Sequence, residues 1–375
     1  MKWISRATLL FYILLSSACS KDNANDKNGP QNERIANFTV IGEDAENVYE
    51  YVFNANQGNG SLTDLSQEAD IARGYLTLRE LNGVLSFFNF SNGNFTLTQR
   101  NVITGAVKVS ENFYSDVPER AILWGTNTTD KAFIGTYTPD GSRNLGVRTI
   151  DLDTGGTQDI FLENDIQTTF QPLYKDEKLF VIYQNGLGNF EISVIDTGTN
   201  SVIKQLSYQN RAPSLGIDDA GDVIVLTSDN GNDTQYDMYD INTLEIKEQK
   251  NISLNQIFSA GPLEGRVVDD KLYYSNAYSQ PSPIIFGPAL FDFDTDIKTV
   301  VDMIRIVDQI EMEIGERITL ISQGYDPATD LFLIGYGISN TTNLRDGGVL
   351  MISTDGELVK RIEVPFIPTY FVKMD

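Results

Sequence analysis

The feature that most restricts the fold of this 375-residue chain is a strand–turn–strand unit that recurs along it. "VRTIDLDTGGTQDIFL" (147–162), "ISVIDTGTNSVIKQLS" (192–207), "YDMYDINTLEIKEQK" (236–250) and "ALFDFDTDIKTVVDM" (289–303) share one plan. Each has an apolar strand, a turn of Asp, Asn, Thr or Gly, and a second strand. "LSFFNFSNGNFTLTQ" (85–99) and "LMISTDGELVKRIEV" (350–364) are looser copies. Asp, Asn and Gly tolerate the backbone angles of tight hairpins, so the turn composition agrees with the strands it joins. Two more strands lie upstream of each hairpin, as in "APSLGID" (212–218) and "DVIVLTSD" (222–229). Four strands per unit at a spacing of about 40–55 residues is the period of a propeller blade.

The first strands of successive units begin near residues 74, 121, 171, 212, 267, 318 and 369. The last start, in "PTYFVKMD", leaves room for one strand, while "NVYEYVFNANQGNGSLTDLS" (47–66) holds strands that lack a first partner. The expectation is an all-β fold, a seven-bladed β-propeller closed by the C-terminal strand joining the first blade. Closure removes the open sheet edges that invite aggregation. Helical periodicity is nearly absent. Only "VVDMIRIVDQIEMEIGE" (300–316) leaves a choice between a helical turn and a longer outer strand.

Composition removes several chemistries. The chain has no histidine and one cysteine. A Ser–His–Asp triad, a Cys–His dyad and His-built zinc, haem or copper sites are therefore excluded. The 52 acidic residues against 28 basic ones argue against nucleic acid as a partner, because phosphate backbones demand clustered Lys and Arg. "DLDTG", "DFDTD" and "DNGND" do not match the twelve-residue EF-hand spacing and read as turn formers. No cofactor motif is found, and no metal site is expected.

The N-terminus, "MKWISRATLLFYILLSSACSKDNANDKNGP", has two early basic residues, an apolar run and small residues leading to Cys19. This is the three-part layout of a secretory signal, too short in its apolar part to span a bilayer comfortably. "LSSAC" resembles a bacterial lipobox, in which cleavage precedes the cysteine and its thiol carries diacylglycerol. Ser16 occupies the slot where that pattern usually has Leu. The polar stretch after Cys19 reads as a flexible tether. The expected organisation is a signal peptide at 1–18, a tether at 19–36 and the propeller at 37–375, lipid-anchored at Cys19.

The lipobox start, "YVFNANQGNGSLTDLSQEA" soon after the tether, and a blade array ending on a lone strand together resemble a group of Bacteroidota propeller lipoproteins. That group is described as a domain of unknown function, and it includes cell-surface siderophore-capture proteins. The resemblance spans residues 38–375. It implies an outer-membrane, outward-facing binding protein without catalysis, working beside a TonB-dependent outer-membrane receptor.

Arginines recur at the starts of the first strands: Arg73, Arg120, Arg211, Arg266 and Arg317, with Phe170 and Pro368 in the same slot of the other two blades. The innermost strand of a propeller blade lines the channel, so a shared slot becomes a ring. Five guanidiniums there, with Phe170 beside them, form a candidate site for an anionic small molecule such as a ferric siderophore. Tyr75 and Trp124 are candidate stacking partners. Acids beside most of these arginines offer the other reading, a set of rim ion pairs. Two further functions stay open: a glycan-active enzyme using funnel carboxylates, and a protein-interaction platform with no small ligand.

Overall fold

The computed structural model describes residues 34–115, 119–229, 233–254, 258–279, 281–340 and 343–373. Cys19, the signal segment and nearly all of the expected tether lie outside these residues. Seven antiparallel sheets follow one another along the chain from Ile35 onward. Blade 1 is built from Phe38–Glu43, Val48–Asn54 and Asn59–Asp64. Blade 2 occupies 77–115, blade 3 121–163 and blade 4 168–207. Blade 5 occupies 213–252, blade 6 265–300 and blade 7 317–364.

The strand sequences explain their places. A middle strand is covered on both faces by neighbouring blades and reads as an unbroken apolar run; "KLFVIYQ" (178–184) is buried through its five central residues. The outermost strand of the same blade, "SVIKQLS" (201–207), is largely exposed and mixes polar with apolar residues.

Seven apolar clusters fasten the seven sheets into a ring, each straddling one pair of neighbours. Ile41 and Val48 meet Leu85 and Phe87 between blades 1 and 2. Phe95 and Tyr114 meet Ile134 and Ile150 between blades 2 and 3. Trp124 and Val147 then meet Leu179 and Val181, Phe180 and Ile192 meet Leu215 and Val225, and Leu226 and Tyr236 meet Leu272 and Phe291. Tyr273 packs with Phe332 and Ile334. The circle returns when Leu333 and Val349 of blade 7 pack on Phe38 and Val40 of blade 1. The fold is thus a seven-bladed β-propeller. Its closing element is the C-terminal strand Ile367–Phe371, which pairs antiparallel with Phe38–Glu43 as the fourth, innermost strand of blade 1.

The blade 1–blade 2 joint also holds a buried ion pair. Arg100 Nε donates to Glu50 Oε2 at 2.9 Å and Nη2 to Oε1 at 2.8 Å. Both side chains are more than nine-tenths buried.

Segment 300–316 settles as a helix, Met303–Ile314. The Asp302 side chain caps it by accepting the Arg305 N–H, and Gly315, at φ 73°, ends it. Met303, Ile306, Val307 and Ile310 recur at helical spacing and are buried in the blade 6–blade 7 cluster. The packed domain begins earlier than the expected residue 37: Ile35 packs on the blade 7–blade 1 cluster and Ala36 is fully buried in it.

Candidate functional site: the central channel

The innermost strands that face the channel are Ile367–Phe371, Thr77–Leu81, Ala121–Asn127, the split pair Thr168–Thr169 and Leu173–Lys175, Gly265–Val268 and Arg317–Asp326, and in blade 5 Pro213–Ile217 with the short parallel strand Gly261–Pro262 added at its channel edge. A cavity of about 660 Å³ lies among them. This is within the range of small-molecule sites, about 300–1,000 Å³. Among the described residues its wall carries three cations, Arg79, Arg266 and Lys373, against one carboxylate, Glu264. Tyr273, Tyr274, Phe286, Tyr325, Tyr370 and Phe371 supply aromatic surface, and Gln171, Gln323, Ser275, Ser322 and Thr369 supply neutral polar groups.

Local irregularities aim several of these side chains. Blade 4 has a broken innermost strand: Thr168–Thr169 and Leu173–Lys175 both pair with Lys178–Gln184, and residues 170–172 fall between them. Pro172 lacks the N–H that would continue the ladder, which suits the gap. Gln171 faces the channel from that gap. In blade 7 the register shifts between Leu320 and Ser322, a β-bulge that re-aims the residues after it. Ile321 through Tyr325 all line the cavity as a result. The amide oxygens of Gln171 and Gln323 are buried and accept no hydrogen bond from the protein. At Gly265, φ is +158° and a Cβ would fall 2.6 Å from the Tyr273 carbonyl oxygen, so the start of the Arg266 strand requires glycine.

The electrostatics favour an anion. Arg79 donates to the Leu78 carbonyl at 3.0 Å. Burial pulls its guanidinium below its ordinary pKa, with nearby Tyr370 acting in the opposite sense. A desolvated cation of this kind gains more from an anionic partner than one in bulk water. Glu80, next along the strand, ties down the neighbouring wall from blade 1. Its carboxylate accepts from the Tyr370 hydroxyl at 2.7 Å and from the Lys373 backbone N–H at 3.0 Å. Burial first, and Glu80 second, push the Tyr370 phenol pKa far up. Tyr273 and Tyr325 stack across blades 6 and 7, with ring centroids 3.5 Å apart and planes 11° apart.

A second, apolar pocket of about 320 Å³ lies beside this cavity, lined by Leu76, Thr77, Phe88, Phe95, Ile122, Leu123, Trp124, Gly125, Ile134 and Gln171. Gln171 lines both.

Of the six ligand-binding residues expected from the sequence, Arg266 lines the 660 Å³ cavity and the other five do not. Arg73 donates to the Ala45 carbonyl at 2.7 Å and lies 3.6 Å from Glu43. Arg120 reaches Asp159 on the outermost strand of its own blade at 3.6 Å, a carboxylate it shares with Arg148. Arg211 donates to Gln235 at 2.9 Å. Arg317 is 81% exposed and 3.5 Å from Glu311 of the helix. Phe170 packs on Phe190 between blades 4 and 5. The five arginines therefore do not form one ring. Arg73 lies four residues before its strand, Arg120 one before and Arg266 one inside, so a shared slot in the alignment is not a shared height or face. Local acids and amides then draw four of them away from the cavity. Arg79, which also faces it and was not among the expected residues, sits mid-strand in "TLREL" (77–81). Tyr75 packs edge-on against Phe87 in the blade 1–blade 2 cluster. Trp124 lines the apolar pocket.

Among the described residues, no group of three His, Cys, Asp or Glu is arranged to hold a metal ion, and no helix is long and apolar enough to cross a membrane.

No family model matches the chain, and no curated protein matches it. Solved structures match it at low identity. One, from a study of two prolyl endopeptidases, matches at 12% identity and a TM-score of 0.49, over 78% of this chain and 43% of that one. The chain thus spans less than half of that protein's length. A Bacteroides fragilis protein described as a candidate 6-phosphogluconolactonase matches at 14% identity and a TM-score of 0.48, over 90% of this chain and 98% of that one. TolB from Acinetobacter baumannii matches at 14% identity and a TM-score of 0.40, over 89% and 80%.

Proposed function

We propose that this propeller is a non-catalytic capture protein for an anionic small molecule, with ferric siderophores as the first class to test. The observation that carries the reading is the channel cavity, where Arg79, Arg266 and Lys373 face a space walled by aromatic rings. Guanidinium groups give paired, directional hydrogen bonds to carboxylate or catecholate oxygens, and the tyrosine walls offer surface for flat rings. Glu264 is the one carboxylate on the wall among the described residues, which favours binding over glycoside hydrolysis, a reaction that takes two carboxylates facing one bond. The N-terminal sequence supports a lipid anchor at Cys19, and with it attachment to the outer membrane, facing outward, beside a TonB-dependent receptor that takes up the cargo.

Isothermal titration against ferric catecholate, ferric hydroxamate and ferric citrate complexes tests this directly. The expected result is saturable binding of at least one class, weakened about tenfold or more by Arg79→Gln and again by Arg266→Gln. Arg73→Gln and Arg317→Gln leave it unchanged. Absence of binding across the three classes, or equal loss in all four variants, overturns the reading.

A further inference from the structure

We infer that the apolar pocket beside the channel is a second compartment of the same site and seats an apolar arm of the ligand, which makes the cargo an anionic amphiphile. The inference rests on the anion-binding role of the 660 Å³ cavity proposed above. Three observations connect the compartments. Gln171 lines both, and its buried amide oxygen has no protein donor. Thr77 and Arg79 lie two residues apart on a regularly paired strand, so they point to the same side. Thr77 borders the apolar pocket and Arg79 the cationic cavity. Their Cα atoms are separated by about 7 Å at strand rise, so a ligand with its charge at Arg79 has an apolar surface within a few bond lengths.

The pocket is built for such an arm. Among the described residues, no charged side chain lines it. Leu76, at its edge, is 61% exposed, an apolar surface that a ligand arm would cover. Gln171 sits at the junction of the two compartments.

The test uses the full chain carrying Trp3→Phe, which leaves Trp124 as the only tryptophan. Benzoate serves as the head-only probe, and linear saturated carboxylates from butanoate to dodecanoate supply the arm. Affinity is expected to rise about fourfold per added methylene and then level off as the pocket fills. Leu123→Trp, which narrows the pocket, flattens this rise and leaves benzoate binding intact. Arg79→Gln lowers every member by a similar factor. A terminally brominated chain quenches Trp124 emission, and benzoate does not. Benzoate binding without any chain-length dependence overturns the amphiphile inference and leaves the capture reading standing. A chain-length rise that persists in Leu123→Trp, or a brominated chain that binds without quenching Trp124, also overturns it by placing the arm elsewhere. If neither benzoate nor any carboxylate binds, the cationic cavity is no anion site and both readings fall.

Discussion

Replacing Glu50 with Leu should cost far more stability than an ordinary surface change. Glu50 and Arg100 form a two-bond ion pair with distances of 2.9 and 2.8 Å, and solvent reaches only 4% and 7% of the two side chains. The carboxylate is also the main reason that the Arg100 guanidinium is held above its ordinary pKa. Removing it leaves a buried cation that still donates to the Gly105 carbonyl at 3.2 Å but has lost its counter-charge. One-sided removal from a buried pair costs about 3–5 kcal/mol, a large part of the roughly 5–15 kcal/mol that holds a typical domain folded. Glu50→Leu with Arg100→Met removes both charges and should recover to within about 2 kcal/mol of the parent, because no charge then remains stranded. Urea unfolding of the parent, both single variants and the double variant gives the full cycle. A loss below about 1 kcal/mol for Glu50→Leu, the range of solvent-exposed pairs, would falsify the claim that this joint is dry.

Three further outcomes follow from particular contacts. Burial raises the phenol pKa of Tyr75 to about 12 and pushes those of Tyr208, Tyr325 and Tyr370 higher still. The folded state therefore keeps protons that the unfolded chain releases near pH 10, so stability is intact below pH 10 and falls as pH rises above it. Absorbance at 295 nm should show a late group among the 17 tyrosines that ionises together with unfolding; a single reversible titration of all of them near pH 10 contradicts this. At Gly135, an added Cβ would clash with Cε2 of the Trp124 indole, so Gly135→Ala should lower stability by about 1–3 kcal/mol and shift Trp124 emission; an unchanged melting curve counts against the packing described. Deleting the chain from Ile367 onward removes the innermost strand of blade 1 and bares the edge of Phe38–Glu43. The truncated protein should aggregate or unfold well below the parent, and a parent-like transition in the same denaturant series would contradict closure by this strand.

The ring of blades was legible because a propeller writes its period into the chain. Strand starts expected near 121, 212 and 318 fall at Ala121, Pro213 and Arg317, and the unpartnered "PTYFVKMD" pointed to the closing strand. The site was much less so. Gln171 faces the channel because a strand breaks at Pro172, and Gln323 because a bulge follows Leu320. Neither alters the alternation of apolar and polar residues from which strands are read. Arg79 stands inside its strand, where it resembles any polar residue on a half-covered face. The arginines at the strand mouths drew attention by their repetition, yet their neighbours Glu43, Asp159 and Glu311 decided their orientation. Only the three-dimensional ring determines which side chains meet.

The position of a bound anion tests the central claim most directly. In crystals soaked with 4-bromobenzoate, the bromine gives an anomalous signal that locates the molecule without assumptions about its chemistry. The account predicts a peak in the channel cavity, with the carboxylate on Arg79 or Arg266 and the ring against the aromatic wall. A peak confined to the exposed arginines, Arg73 or Arg317, with the channel empty at saturating ligand, contradicts it.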